Sequence, residues 1–180
     1  MAIMPGPGTA APSHDAFAVT RDLDPGRFRF SVWRNVSVTI WTAQATMPAG
    51  ERVLRLSREL SREFPQGRSQ VMIVADGTPA PDQAVSELLT EIYKPELSRI
   101  VCIAAVLEGT GFWASGIRSR MTNMRIAGGN GMAMRTQDTV EEVASWLPEE
   151  HAQRTGVVLD RNELQAMLLA VRALGTAPEP

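Results

Sequence analysis

Two continuous apolar runs mark the buried strands of the chain. The first begins at Val71 and ends in a turn that starts at Asp76, and the second covers 100–107 and ends before Glu108. A run without polar residues is typical of a strand that is covered on both faces. The sequence therefore predicts two central strands of one sheet, each ending in an acidic residue.

Alternating apolar and polar positions precede these runs. The stretches 28–32 and 36–41 both alternate with period two, and the link between them contains little more than Arg34 and Asn35. This alternation predicts strands with one buried face, and the short link predicts an antiparallel hairpin. A short edge strand is predicted over 132–135.

Helical spacing fills the intervals between the predicted strands. The first helix is predicted over 48–63 and the second over 79–94. Thr78 is expected to be the N-cap of the second helix, because threonine directly before a proline is a common helix start. The third helix carries one apolar stripe, which consists of Trp113, Ile117, Met121 and Met124.

Two more helices are predicted towards the C-terminus. Thr139 and Glu142 have the spacing of a capping box, and Pro148 follows the helix that they begin. After a break near Gly156, Asp160 is expected to cap the last helix. The apolar face of that helix consists of Leu164, Met167, Leu168, Val171 and Leu174.

These elements predict an α/β fold with the order β-β-α-β-α-β-α-β-α and an extra C-terminal helix. Right-handed crossovers return each new strand parallel to the last, so we expect a mixed, mostly parallel sheet. We divide the 180 residues into a disordered leader (1–22), an α/β domain (23–148), a C-terminal helical extension (149–175) and a tail (176–180). Since the apolar stripe of the extension lies outside this domain, a homodimer is a candidate assembly.

Composition excludes several classes of protein. The net charge of -2 and the pI near 5.7 give no overall attraction to nucleic acid or to an anionic membrane. The sequence has no apolar stretch of the roughly 20 residues that cross a bilayer and no secretion signal, so we expect a cytoplasmic protein without membrane insertion. One cysteine and two histidines argue against a disulfide framework and a Cys/His zinc site, and Cys102 is expected to be a core residue. We predict no cofactor.

Asp76 and Glu108 are the sharpest candidates for catalysis. Both follow apolar strands that we expect to be neighbours, and two carboxylates at adjacent strand ends can hold Mg²⁺ with waters and a phosphate. The competing interpretation is that Asp76 forms the turn before Gly77, as acidic residues at strand ends often do. No sequence motif places a third acid, a lysine or a histidine beside this pair.

The stretch after the second apolar run offers two weaker sites. Gly109 and Gly111 suggest a phosphate loop, but their spacing fits neither the dinucleotide fingerprint nor a P-loop, and Thr110 as a helix cap explains the turn better. Trp113 and Arg118 could form an aromatic and basic surface. Because Met121 and Met124 accompany them, a protein or acyl-chain surface is favoured over nucleic acid.

The order of elements resembles the SpoIIAA-like, STAS-like domain family over about residues 27–148. The resemblance is carried by the buried strand ending in Asp76, by the second buried strand before a Gly-rich turn, and by the helix from Thr139 to Leu147. Members often end on a similar acidic helix with the pattern Ala-x-Trp-Leu, here Ala144 to Leu147. The resemblance implies a domain that binds proteins and catalyses no reaction.

In one branch of that family, the anti-sigma-factor antagonists, phosphorylation of a serine at the start of the second helix controls binding. This serine is absent here, since the Asp-Ser-Ser/Ala-Gly turn of the family is replaced by Asp76, Gly77, Thr78 and Pro79. The resemblance therefore leaves Thr78 as the one residue that could take the regulatory role.

The sequence favours a non-enzymatic protein-protein interaction module in bacterial-type signalling or scaffolding. The candidate regulatory and binding residues are Asp76, Thr78, Glu108, Thr110, Trp113 and Arg118. Two alternatives stay open: a protein that binds a lipid or a small apolar ligand, and a Mg²⁺-dependent phosphoryl-transfer enzyme that uses Asp76 and Glu108.

Overall fold

A six-stranded mixed sheet forms the middle layer of the structure, a computed structural model that describes residues 18–93, 99–109 and 132–176. The strands lie side by side in chain order: β1 (Val19–Asp24), β2 (Phe28–Trp33), β3 (Val36–Trp41), β4 (Arg68–Val74), β5 (Ile100–Leu107) and β6 (Ala133–Gln137). The described helices are α1 (Met47–Glu63), α2 (Gln83–Thr90), α3 (Val140–Thr155) and α4 (Arg161–Thr176), and a 3₁₀ turn (Glu91–Tyr93) follows α2. The predicted α/β class with a mixed sheet is confirmed.

The sheet is antiparallel from β1 to β3 and parallel from β3 to β6. The predicted hairpin is therefore confirmed as β2 and β3, and the predicted edge strand is confirmed as β6. The strand β1 was not predicted, because residues up to 22 were assigned to the leader. Its residues are mostly exposed and carry charges, so the apolar alternation that reveals a strand is missing.

Two of the described helices pack on each face of the sheet. Along β4, Val71 and Ile73 pack in the apolar core beneath α3 and α4, whereas Val74 packs in the core beneath α1 and α2. The residues of β5 alternate between the two cores in the same way. Burial on both faces is the reason that these strands read as continuous apolar runs.

The helix α2 begins later than the sequence predicted. Its N-cap is Asp82, whose side chain accepts a hydrogen bond from the backbone N–H of Val85, so the assignment of Thr78 as the cap is wrong. A residue before proline is disfavoured in the helical region, and Pro81 extends this restriction to Ala80. The helix therefore starts only after the second proline of the turn.

The helix α3 is longer than predicted, because Pro148 lies inside it. The expected capping residue is confirmed, since Thr139 accepts a hydrogen bond from the N–H of Glu142. The helix ends at Gly156, which adopts the left-handed conformation with φ 73°. Leu147 and His151 are buried on either side of the proline, and this packing holds the helix together across the lost hydrogen bond.

The helix α4 belongs to the core of the α/β fold. Four residues of its predicted apolar face are buried against the sheet and α3: Leu164, Met167, Leu168 and Val171. Leu174, the fifth, is 57% exposed. The interpretation that this stripe lies outside the core is therefore wrong, and the predicted homodimer loses the observation on which it was based. The predicted third helix lies outside the described residues.

Candidate functional site

Asp76 and Glu108 lie at the same edge of the sheet. Val74 and Leu107 are register partners in the parallel pair β4 and β5, and the N–H of Glu108 donates to the carbonyl oxygen of Val74 at 3.0 Å. Glu108 directly follows β5, and Asp76 follows β4 after Ala75. The expectation that they end neighbouring strands is confirmed.

Gly109 allows Asp76 to approach the second strand end. A Cβ atom at position 109 would overlap the carboxyl group of Asp76, and Gly109 has a φ of +103°, which residues other than glycine rarely adopt. The Asp76 turn and the end of β5 are thus packed as one unit. The adjacent Gly77 also has a positive φ of +75°, but it faces open space.

The carboxylate of Glu108 is engaged by another part of the chain. Arg172 of α4 donates its Nε–H to Glu108 Oε1, in an ion pair that ties α4 to the end of β5. Among the described residues no group of three His, Cys, Asp or Glu side chains could hold a metal ion. A Mg²⁺ site would therefore have to compete with Arg172 for Glu108.

The side chain of Thr78 is buried beneath the Asp76 turn. It is 3% exposed, and its Oγ1 donates to the carbonyl oxygen of Trp41 at the end of β3, at 3.2 Å. Its N–H donates to Ala75 at 3.1 Å. The hydroxyl that the family resemblance suggested for phosphorylation is thus buried between β3 and the turn.

The other predicted site residues cannot be compared with the structure. Thr110, Trp113 and Arg118 lie outside the described residues. The proposed aromatic and basic surface and the Gly-rich turn therefore stay predictions.

A buried hydrogen-bonded chain at the opposite end of the sheet was not predicted. His151 of α3 is 0% exposed, and its two ring nitrogens contact Ser69 Oγ at 2.6 Å and Asn35 Oδ1 at 2.9 Å. Ser69 lies opposite Cys102, its register partner on β5. We call these four residues the His151 chain.

Burial governs the protonation of both titratable members of the His151 chain. It lowers the pKa of His151 to about 4, because the charged imidazolium would lose its hydration. It raises the pKa of the Cys102 thiol to about 11, because the charged thiolate would also lose its hydration. Both groups are therefore neutral at pH 7.

Ser69, His151 and Asn35 have the residue types of a nucleophile, a base and an orienting group. Ser69 and His151 are both 0% exposed, so a substrate cannot reach the hydroxyl in this conformation. The partners are 82 and 116 residues apart in sequence, and no local motif joins them. One available signal was the spacing of His151 four residues after Leu147, on the buried stripe of α3.

A groove of about 280 Å³ runs along the exposed side of α1. Its lining consists of Glu51, Leu54, Arg55, Arg58, Glu59 and Arg62. Five of these six residues are charged, two of them acidic and three basic. Such a lining does not suit a lipid or a small apolar ligand.

Comparisons with protein-family models, with curated proteins and with solved structures give no match to this chain. The likeness to the STAS-like family thus stays a prediction from the sequence. None of the described helices combines the length and the apolar character that crossing a membrane requires.

Proposed function

We propose that the chain is a protein-interaction module with no enzymatic activity. The observation that carries this proposal is that side chains at the carboxyl ends of β4 and β5 are engaged in structural contacts. An α/β enzyme places its catalytic groups at this edge of the sheet. Glu108 is bound to Arg172 there, and the hydroxyl of Thr78 is buried against Trp41. Glu108, one of the two candidate catalytic residues, and the neighbouring Thr78 are thus used to hold the protein together, while Asp76 is exposed.

A STAS-like order of elements is part of the proposal. The support for it is the consecutive order of the parallel strands β3 to β6, with α1 between β3 and β4 and α2 between β4 and β5. The hairpin before these strands also fits the expected pattern. The strand β1 and the docked helix α4 are additions to that pattern.

The Asp76 turn is the proposed binding surface. Asp76, Gly77 and Pro79 are exposed, and the buried Thr78 between them fixes the turn to the end of β3. A turn that is rigid at its base and exposed at its tip presents the same shape to a partner at each encounter, which lowers the entropic cost of binding. The proposed partner is a protein.

Phosphorylation of Thr78 would require a change of conformation. A kinase needs the hydroxyl at the surface, whereas Thr78 Oγ1 is bound to Trp41 inside the protein. We therefore propose that this turn acts chiefly as a contact surface. Any switching at Thr78 would first break its bond to the end of β3.

A photo-crosslinking amino acid at position 79 tests the proposed surface. In cells of the native host, we expect a discrete adduct with one partner protein. We expect Asp76→Arg to abolish this adduct, while a cooperative urea unfolding transition shows that the variant is still folded. The matched control carries the crosslinker at position 153, an exposed position on α3. Equal adducts from both positions, or an adduct that Asp76→Arg leaves unchanged, would contradict the proposal.

The alternative Mg²⁺-dependent activity is supported by one observation, the adjacency of Asp76 and Glu108. It remains a second candidate function. An increase in melting temperature on addition of Mg²⁺ that Asp76→Asn removes would favour it over the interaction module.

A further inference from the structure

The His151 chain joins three elements at the end of the sheet where β3 and β4 begin. Asn35 lies in the turn between β2 and β3, Ser69 is the second residue of β4, and His151 lies one turn before the end of α3. Asn35 is 7% exposed, and Ser69 and His151 are 0% exposed. The end of α3 is thus fixed to the sheet by polar contacts that are removed from water.

The hydrogen bonds of this chain require a neutral imidazole. The amide of Asn35 is oriented by its Nδ2, which donates to the carbonyl oxygen of Gly67 at 3.2 Å, so Oδ1 faces the histidine as an acceptor. His151 Nε2 must then carry the hydrogen. Nδ1 is left to accept the hydroxyl hydrogen of Ser69 at 2.6 Å.

Protonation of His151 disrupts this arrangement. A hydrogen on Nδ1 would point at the Ser69 hydroxyl, which would have to rotate its own hydrogen away and towards the Cys102 sulfur, a weak acceptor. No carboxylate among the described residues hydrogen-bonds to the ring. The new positive charge would be buried without compensation.

Two ion pairs engage charged groups of the surrounding elements, and the buried Arg68 of β4 donates to Ser37 and to Ser57 of α1, on the opposite face of the sheet. On α3, Arg154 contacts Glu150 at 3.3 Å, and Arg34 of the β2–β3 turn contacts Glu163 of α4 at 2.8 Å. Ser69 on β4 and Cys102 on β5 bring no charge at neutral pH. The burial that lowers the pKa of His151 to about 4 is therefore not offset by a nearby anion.

We propose that the His151 chain is an acid-sensitive latch: protonation of His151 releases the end of α3 and the connection to α4 from the sheet while the remaining fold stays intact. The connection is weakly anchored, since Val157 and Val158 in it are 36% and 76% exposed and only Leu159 is buried. The upstream part of α3 stays in place through its buried apolar residues, such as Val143 and Leu147. Opening of the latch uncovers Cys102 beneath it.

Cys102 provides a specific readout, because it is the only cysteine of the chain. The full chain is treated with a pyridyl disulfide at pH 7 and at pH 5, and each rate is divided by the rate of glutathione at the same pH. The open state has the ordinary histidine pKa of 6.5 and the closed state one of about 4, so we expect the normalised rate to rise about twentyfold on acidification. Far-UV circular dichroism should be the same at both values.

Three variants assign the effect to His151. In His151→Gln the rise should disappear, whereas in His14→Gln, which changes the other histidine, it should persist. His14 lies outside the described residues. Asn35→Asp places a carboxylate against Nε2, which favours the protonated ring in the closed state and should flatten the rise to less than threefold.

A normalised rate in the unmodified chain that does not change between pH 7 and pH 5 would overturn the proposal, even if a variant fails to fold. Loss of the rise in His14→Gln would also overturn it. A collapse of the circular dichroism signal at pH 5 would replace local opening by global unfolding, and the latch would be rejected.

Discussion

Gly109 shows how one missing side chain determines the geometry of the candidate site. The carboxyl group of Asp76 occupies the space that a Cβ atom would need, and the backbone at position 109 has a φ of +103°. Any other residue would face both a steric overlap and an unfavourable backbone conformation. The contact between the Asp76 turn and the end of β5 therefore depends on this glycine.

We expect Gly109→Ala to destabilise the protein by about 2 to 4 kcal/mol, since overlap with Asp76 adds to the backbone strain. The matched control is Gly77→Ala, which has a similar positive φ but no atom within 4 Å of the added Cβ. It should cost only about 1 kcal/mol. Urea unfolding measures both values, and equal losses would show that the contact with Asp76 contributes nothing.

The helix α3 illustrates how tertiary packing overrides a local signal. Proline in a helix removes a hydrogen bond and clashes with the preceding turn, yet α3 continues through Pro148 to Thr155. Buried residues before and after the proline, Leu147 and His151, anchor the two segments on the sheet. The stability of the helix therefore comes from the sheet more than from its own sequence.

Replacement of Pro148 by alanine should stabilise the protein by about 1 to 3 kcal/mol, because it restores the intrahelical hydrogen bond and raises helix propensity. Thermal unfolding gives the change. Pro65→Ala is the control, since Pro65 lies in an exposed turn outside any helix. A lower melting temperature for Pro148→Ala would show that α3 is bent to fit the sheet and needs the proline.

The elements that could be predicted from the sequence are those whose pattern is set by burial on a whole face. The strands β4 and β5 and the helix α1 are examples, as their apolar positions follow one period throughout. The exposed edge strand β1 has no such pattern. The N-terminus of α2 was misplaced because Thr78 and Pro79 have the residue types of a helix start, whereas Pro81 disfavours the helical conformation at Ala80.

In the candidate site, too, some features could be predicted from the sequence and others could not. The order of strands and helices in the sequence implies parallel crossovers. These crossovers make the strands before Asp76 and Glu108 neighbours, so this part of the site could be predicted. The partner of Glu108 could not be predicted, because Arg172 lies 64 residues away and on another element. The contacts of His151 are likewise set only by the three-dimensional packing.

At the scale of the whole molecule, α4 completes the second helical layer. Its four buried residues belong to the same core as Val36 and Val38 of β3. Burial of each such side chain contributes about 1.5 to 3 kcal/mol, or roughly 6 to 12 kcal/mol in total. This amount is comparable to the entire stability of a typical domain, about 5 to 15 kcal/mol.

A chain that ends at residue 156 should therefore lose its cooperative unfolding transition and aggregate. Light scattering and urea unfolding follow the two effects. The control ends at residue 176 and keeps all of α4. If the shorter chain stayed monodisperse with an unchanged unfolding midpoint, α4 would be a dispensable extension after all.

The consecutive order of the strands has a consequence for where ligands can bind. Cofactor crevices in open α/β sheets form where successive connections leave a pair of adjacent strands towards opposite faces. Here the connections through α1 and α2 both lie on one face, and the parallel strands β3 to β6 never reverse their order. No topological switch point therefore opens among β3, β4 and β5, so a partner that binds this edge would contact the outer surface of its turns.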